Sequence, residues 1–335
     1  MEPYKEVSTN TWLKVGNVNV MYKVEREVSL SFIKEIFHSI QPSVIHLNSL
    51  MSIRFSFLPL LAASFWVVFS GIVLLSPRGE LSPGALKLKK YKKRLYLNFF
   101  KLLGLEHKVE WLASSDGEGK NIFSEFGKSQ VILHRVDNVP NFSLWTNELN
   151  RQIPKKENQL KLIFFSRISP MKNLAFLLNQ LKDSELNIDL SIYGPQEDIG
   201  YFSTCSNIAL LLPKNISIKF MGALPPSEVY CTLKEFDLFV LPTLGENFGQ
   251  AIWEALASSV PILISEHTPW KNLIEKEVGW DVSLDDSTEF KRALKEIYIM
   301  NEEQHQKMRS KCRDFALDYV AKSDSLNKLK KLYIN

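Results

Sequence analysis

Residues 236–264 read FDLFVLPTLGENFGQAIWEALASSVPILI. Two apolar runs, each bounded by proline or polar turn residues, predict buried strands over 236–241 and 260–264. Between them Phe248, Ile252, Ala255 and Leu256 recur at helical spacing, and Asn247 stands where an N-cap is needed. The stretch reads as a β-loop-α-β unit, with Glu246 in the loop and Glu254 on the helix. In an open parallel sheet such a loop lies beyond the carboxyl ends of the strands, where ligands bind. A parallel α/β fold with a ligand site at Glu246 and Glu254 is the first expectation.

Working outward, 335 residues are long for one domain and comfortable for two. With 45% hydrophobic and 23% charged residues the chain is ordinary globular material, and a formal charge of +4 gives no ground for a nucleic-acid partner. Cys205, Cys231 and Cys312 are few and odd in number, which suits reduced thiols in a cytoplasmic protein rather than a disulfide framework. The first seventeen residues hold no apolar core of the length a signal peptide needs. Residues 55–77, FSFLPLLAASFWVVFSGIVLLSP, are free of charge and long enough to span a bilayer. Pro59, Ser70 and Gly71 favour splitting them into a buried helix and a buried strand.

Strand and helix signals alternate on both sides of that segment. Residues 18–24, 43–48, 108–112 and 130–135 read as strands; residues 29–40, a long amphipathic stretch over 83–103, and 122–126 read as helices. A doubly wound domain normally opens with a buried strand and a glycine turn, and residues 1–17 offer neither, so the N-terminal domain is expected to lack its first strand-loop-helix unit. The polar run over 138–159, punctuated by prolines, reads as a linker. Alternation then restarts with strands at 160–166, 186–194 and 216–222, helices at 171–181, 197–211 and 227–236, the opening unit, a strand at 279–284, and helices from Ser287 to Leu332. Expected domains are 1–145, 146–310 and a helical segment 311–335 packing back toward the first, with a cleft between the two α/β halves.

Four features of the second half could carry chemistry. Arg167 and Lys172 lie in FFSRISPMKN, where a strand end meets a helix N-terminus; they suit a diphosphate, or they are ordinary surface cations. Gly194, in SIYGPQED, could let a ligand approach the backbone, or could serve a plain tight turn. Gly222, Ala223 and Leu224, in KFMGALPPSE, could offer main-chain groups to a flat base, with the same alternative. Glu246 and Glu254 can read the diols of a sugar or ribose, and Glu254, among apolar neighbours, needs a partner.

Taken in order, SRISPMKN, IYGP, GALPPSEVY, DLFVLPTLGENFGQAIWEALASSVPILIS and TPWKNLIEKEVGWDVSL resemble the nucleotide-sugar-binding half of the group 1 (family 4) retaining glycosyltransferases. The run SPRGELSPGALKLKKYKK resembles a subgroup that builds bacterial surface polysaccharides. The resemblance implies the GT-B architecture, two Rossmann-like doubly wound domains facing a cleft. It implies that Arg167 and Lys172 hold the diphosphate of a UDP- or GDP-sugar in place of a divalent metal. On the same basis Glu254 accepts the ribose hydroxyls, Glu246 contacts the hexose, and the main chain of Asn247, Phe248 and Gly249 meets the sugar or phosphate. Thr243, Gly194, Gly222, Ala223 and Leu224 complete the donor site, with no metal and no cofactor. The implied activity is metal-independent hexosyl transfer, with retention, to a glycan or lipid-linked acceptor. Arg78 and Glu80, after the strand GIVLLSP, are acceptor-side candidates or a structural pair. Asp285 and Asp286 read as a helix cap rather than a metal motif.

Two places depart from the family pattern: residues 1–17 hold no glycine-rich loop, and Leu112 stands in EWLAS (110–114) where a histidine is expected. A protein of this fold that binds nucleotide sugar, or a glycosyltransferase partner, without transfer is therefore kept as an alternative. A nucleotide-sugar epimerase would need a histidine near the sugar. Residues 87–103 begin with six cations between Lys87 and Arg94, interleaved with Leu88, Tyr91 and Leu95. They read as a solvated face, or as a surface for an anionic membrane on the inner face of the cytoplasmic membrane.

Overall fold

The structure, a computed structural model, describes residues 8–67, 69–138 and 154–334. The chain divides into two units, Met1–Val136 and Asp137–Asn335. Residues 1–7 and most of the expected linker lie outside the described residues.

The first unit opens with a hairpin that sequence reading did not foresee. Strands β1 (Trp12–Val15) and β2 (Val18–Met21) pair antiparallel around Gly16, whose φ of 59° is the left-handed conformation a two-residue hairpin turn requires. Parallel strands β3 (Val44–Leu47), β4 (Ile72–Leu75), β5 (Glu110–Ala113) and β6 (Ile132–Arg135) then form a sheet in chain order. Each is short and flanked by helices, and Leu60, Leu74, Leu97, Phe100 and Trp111 are all but sealed from water around them. The charge-free segment does split: helical turns run over Ile53–Phe57, Leu58–Leu61 and Ala62–Trp66, and β4 follows. No helix among the described residues is long and apolar enough to cross a membrane. The amphipathic stretch is two helices, Pro83–Lys87 and Lys90–Leu102, because Lys89 takes a left-handed φ of 53° between them. Leu112 is buried in β5, opposite His134 of β6, whose imidazole bonds Glu110 at 2.7 Å.

In the second unit β7 (Leu160–Phe165), β8 (Ile188–Tyr193), β9 (Ile216–Gly222), β10 (Leu238–Leu241), β11 (Ile262–Ser265) and β12 (Gly279–Val282) form one parallel sheet. Its spatial order is β12-β11-β10-β7-β8-β9. The chain builds outward from β7 through β8 to β9, then crosses back to place β10 on the other side of β7. The connections after β7 and β10 therefore leave the sheet in opposite directions and open a crevice between them. Strands β10 and β11 are buried at every position, which is why they read as unbroken apolar runs.

Helices Ser287–Ile299, Glu302–Ala321 and Ser325–Ile334 close the chain, and Asp286 caps the first through the Thr288 amide. The helix Glu302–Ala321 packs on the helix Gln250–Ala257 and runs unbroken through residue 311, with Cys312 and Ala316 in the core of the second unit. Buried Arg309 fastens it to the carbonyls of Phe236 and Lys234, at 2.9 and 2.7 Å.

Candidate functional site

The loop after β7 is laced to the loop after β8. The amides of Ser166 and Ile168 donate to the carbonyls of Tyr193 and Pro195, at 3.0 and 2.9 Å. Gly194 sits at the crossing with a φ of 144°, and a Cβ there would stand 1.9 Å from the Ser166 carbonyl oxygen. Its amide in turn donates to the carbonyl of Gly222 at 2.7 Å. The glycine is thus demanded by the protein's own backbone, not by the approach of a ligand.

Arg167 leaves this lacing outward, and its Nη1 donates to Glu197 Oε1 at 2.5 Å. Lys172 ends a single turn, Pro170–Lys172, and Asn173, left-handed at φ 58°, separates it from the helix Leu174–Leu181. Lys172 consequently stands ahead of the helix rather than in its first turn.

The loop after β10 reaches the same place from the other side. Thr243, with no exposure, sets its hydroxyl 3.0 Å from the carbonyls of Met171 and Gly245, and the Leu244 amide donates to Met171 at 2.8 Å. Thr243 is therefore a brace between two loops and does not face a ligand. The same brace holds Lys172, the residue after Met171, against Glu246: Nζ to Oε1 is 2.5 Å, with the side chains 12% and 11% exposed.

The helix begins at Gln250, not near Asn247. Gly249, at φ 80°, turns the chain into it, so Asn247 is no N-cap. Phe248 is buried against Trp270 and Tyr319, at centroid distances of 5.5 and 5.8 Å, and its carbonyl accepts from Trp270 Nε1 at 2.6 Å. One turn into the helix, Glu254 accepts from the Gln250 side-chain amide at 3.1 Å, and burial pushes its carboxyl above the ordinary glutamate value. Burial raises the neighbouring Tyr230 phenol too, as does the Glu254 charge.

These pieces enclose a cavity of about 370 Å³ at the carboxyl ends of β7, β8, β9 and β10. Arg167, Lys172, Gly194, Ala223, Leu224, Glu246, Gly249 and Glu254 line it, as do Phe165, Leu241 and Gln250, which sequence reading passed over. Asn247, Phe248, Gly222 and Thr243 do not. Arg78 and Glu80 belong to the first unit, where each has its own partner. Arg78 donates to Asn48 Oδ1 at 2.6 Å, and Glu80 accepts from the amides of Leu50 and Met51, at 2.5 and 2.9 Å, tying down the loop after β3.

The cavity thus brings together the Lys172–Glu246 pair, the Glu254 carboxylate and the more exposed Arg167 guanidinium. Cations bind an oxyanion and carboxylates accept from hydroxyls, so this set of groups fits a ligand that carries both an anionic group and hydroxyls.

The family described as "Glycosyl transferases group 1" matches residues 146–315, just over half of the chain. A D-inositol 3-phosphate glycosyltransferase from Corynebacterium efficiens is 26% identical over 106 residues, 30% of this chain and 25% of that protein. In each curated relative the match spans less than half of the relative's length. Among solved structures, Anabaena Alr3699/HepE in complex with UDP-glucose superposes with a TM-score of 0.68 at 14% identity, covering 90% of this chain and 80% of that one. The pneumococcal O-GlcNAc transferase GtfA in complex with UDP and GlcNAc gives 0.60 at 17% identity, over 96% and 68%. These likenesses show the fold, GT-B, with two Rossmann-like α/β units.

Proposed function

We propose, since this chain belongs to the group 1 glycosyl transferases, that it moves a hexose from a nucleotide diphosphate sugar to a hydroxyl of a glycan or lipid-linked acceptor. The observation that carries the reading is one cavity lined by Arg167 and Lys172 from the loop after β7, and by Glu246 and Glu254 from the unit after β10.

As the anomeric C–O bond breaks, positive charge grows on the sugar ring and negative charge on the departing diphosphate. With the donor docked, Arg167 and Lys172 stand against the latter before the bond breaks, so little reorganisation accompanies the step. Here the two side chains do the work a divalent cation does elsewhere. Glu254 accepts from the ribose diol. Glu246, fixed by Lys172, accepts from the hexose. Attack by the acceptor hydroxyl on the face from which the diphosphate leaves retains the anomeric configuration, and the hydroxyl's proton passes to the departing diphosphate oxygen beside it. The relatives solved with UDP make a UDP-sugar the first donor to try and a GDP-sugar the second. The basic helix Lys90–Leu102 is proposed to dock the first unit on an anionic membrane at the cytoplasmic inner face, which would bring a lipid-linked acceptor within reach.

Binding and turnover of UDP-, GDP- and ADP-sugars, measured for the parent, Lys172→Ala and Glu254→Ala, test the reading. The parent should bind one donor and hydrolyse it slowly without acceptor, and each variant should bind it at least about tenfold more weakly, the worth of one hydrogen bond to a charged group. Binding with no turnover under any acceptor would leave a nucleotide-sugar-binding protein of the same fold. No binding to any donor would end both readings.

A further inference from the structure

Two cation–carboxylate pairs stand at the cavity, and water reaches them very differently. Lys172 and Glu246 are 12% and 11% exposed, whereas Arg167 and Glu197 are 58% and 33% exposed. The proposed transfer gives Glu197 no part. It sits in the short turn between β8 and the helix Ile199–Ala209. The backbone beneath it is fixed: Ile168 donates to Pro195 at 2.9 Å, and Asp198 caps the helix by accepting from the Tyr201 amide at 2.9 Å. Two rigid loops thus bring together two side chains that meet in open water.

An exposed pair of this kind is weak, because solvent screens it and both long side chains must be ordered. The contact is also single, one guanidinium nitrogen to one carboxylate oxygen, and among the described residues no other hydrogen bond takes up the rest of the fork. A diphosphate brings more negative charge and can take the fork with two oxygens at once. The Lys172–Glu246 pair has the opposite character. Parting it would strand a charge out of water, and the ammonium, with three protons to donate, can take on a phosphate oxygen without letting Glu246 go.

We infer that Glu197 is a placeholder anion that competes with the donor diphosphate for Arg167. It holds the guanidinium at the mouth of the cavity and yields it when a diphosphate docks. When the nucleotide leaves, Glu197 takes Arg167 back. The inference rests on reading the cavity as a nucleotide-sugar site. Its consequence is a threshold of charge: a ligand reaches Arg167 only if it is a better anion than a carboxylate.

Isothermal titration calorimetry with UDP, GDP and ADP, on the full chain, tests it in four proteins: the parent, Glu197→Gln, Arg167→Ala and the double variant. For whichever nucleotide the parent binds best, Glu197→Gln should bind about two- to fivefold more tightly, the range an exposed pair is worth. The same substitution should change nothing in the Arg167→Ala background. Binding by Glu197→Gln that is equal to the parent's or weaker overturns the inference, and weaker binding would make Glu197 a support that positions Arg167 in the complex. Equal tightening in both backgrounds also overturns it, since the effect would then be one of general field. A parent that binds none of the three removes the nucleotide-sugar reading, and the inference falls with it.

Discussion

Glu254 is half-buried and forms no ion pair among the described residues; its carboxylate accepts one hydrogen bond there, from the Gln250 side-chain amide. Because burial raises its carboxyl above the ordinary value, the folded protein holds the proton more readily than the unfolded chain. The group's contribution to stability is complete below the ordinary glutamate value and is lost as the pH rises through the folded value. Above the ordinary glutamate value the burial of this group therefore costs the fold stability, as is common where a side chain serves a ligand. Glu254→Gln should raise the melting temperature at pH 7, with the gain vanishing toward pH 4, while nucleotide affinity falls about tenfold or more. Calorimetric melts and titrations at the two pH values check it; a variant that melts lower at pH 7 would show that the charge is compensated. That Glu254 stands among apolar helix neighbours was legible in the sequence, and a carboxylate there is costly to bury unless something binds it. Gly194 was legible only as a turn. Its close approach to the Ser166 carbonyl is a contact across two strands, which no local pattern encodes.

Among the elements, the site is made by two loops that depart from neighbouring strands, and Thr243 is where they are joined. Its hydroxyl touches Met171 across the crevice, one residue from Lys172. Thr243→Val keeps the volume and loses the hydroxyl in a buried place, so a loss of about 1–2 kcal/mol is expected. Urea unfolding reads that loss. The donor-binding test should also move, since the Met171 turn positions Lys172: affinity should weaken with little change in the cavity wall itself. A variant as stable and as tight as the parent would mean that the Leu244–Met171 backbone bond suffices. Strand and helix alternation was readable because buried parallel strands are apolar at every position. Element ends were not. The helix of the opening unit starts at Gln250 because Gly249 adopts a left-handed turn, and Asn247, chemically apt as a cap, comes too early in the chain. Lys89 broke the amphipathic stretch for the same kind of reason, a single residue at positive φ that periodicity does not reveal.

At the scale of the whole chain, the second unit carries the family match and the cavity, and the first carries the basic helix. The cations of that helix have separated into two kinds. Lys93 donates to the Ala85 carbonyl at 2.6 Å and so closes the break at Lys89, while Arg94 and Lys101 share Glu125, at 3.1 and 2.6 Å. No ion pair engages Lys89, Lys90 or Lys92 among the described residues, and they lie beside Tyr91 and Leu95, which are 88% and 73% exposed. Apolar side chains this open, next to cations with no carboxylate partner there, suit the interface of an anionic bilayer better than they suit water alone. Each lysine near such a surface contributes about 1 kcal/mol, so Lys89→Gln, Lys90→Gln and Lys92→Gln together should weaken binding to phosphatidylglycerol-rich vesicles by about 100-fold. Lys93→Gln should instead lower the melting temperature, because it removes a bond within the fold. Vesicle sedimentation at low and high salt separates the contributions, since binding that depends on these lysines must also fade as salt rises. If the triple variant binds the vesicles as tightly as the parent, the helix is an ordinary solvated face and the acceptor must be reached in another way.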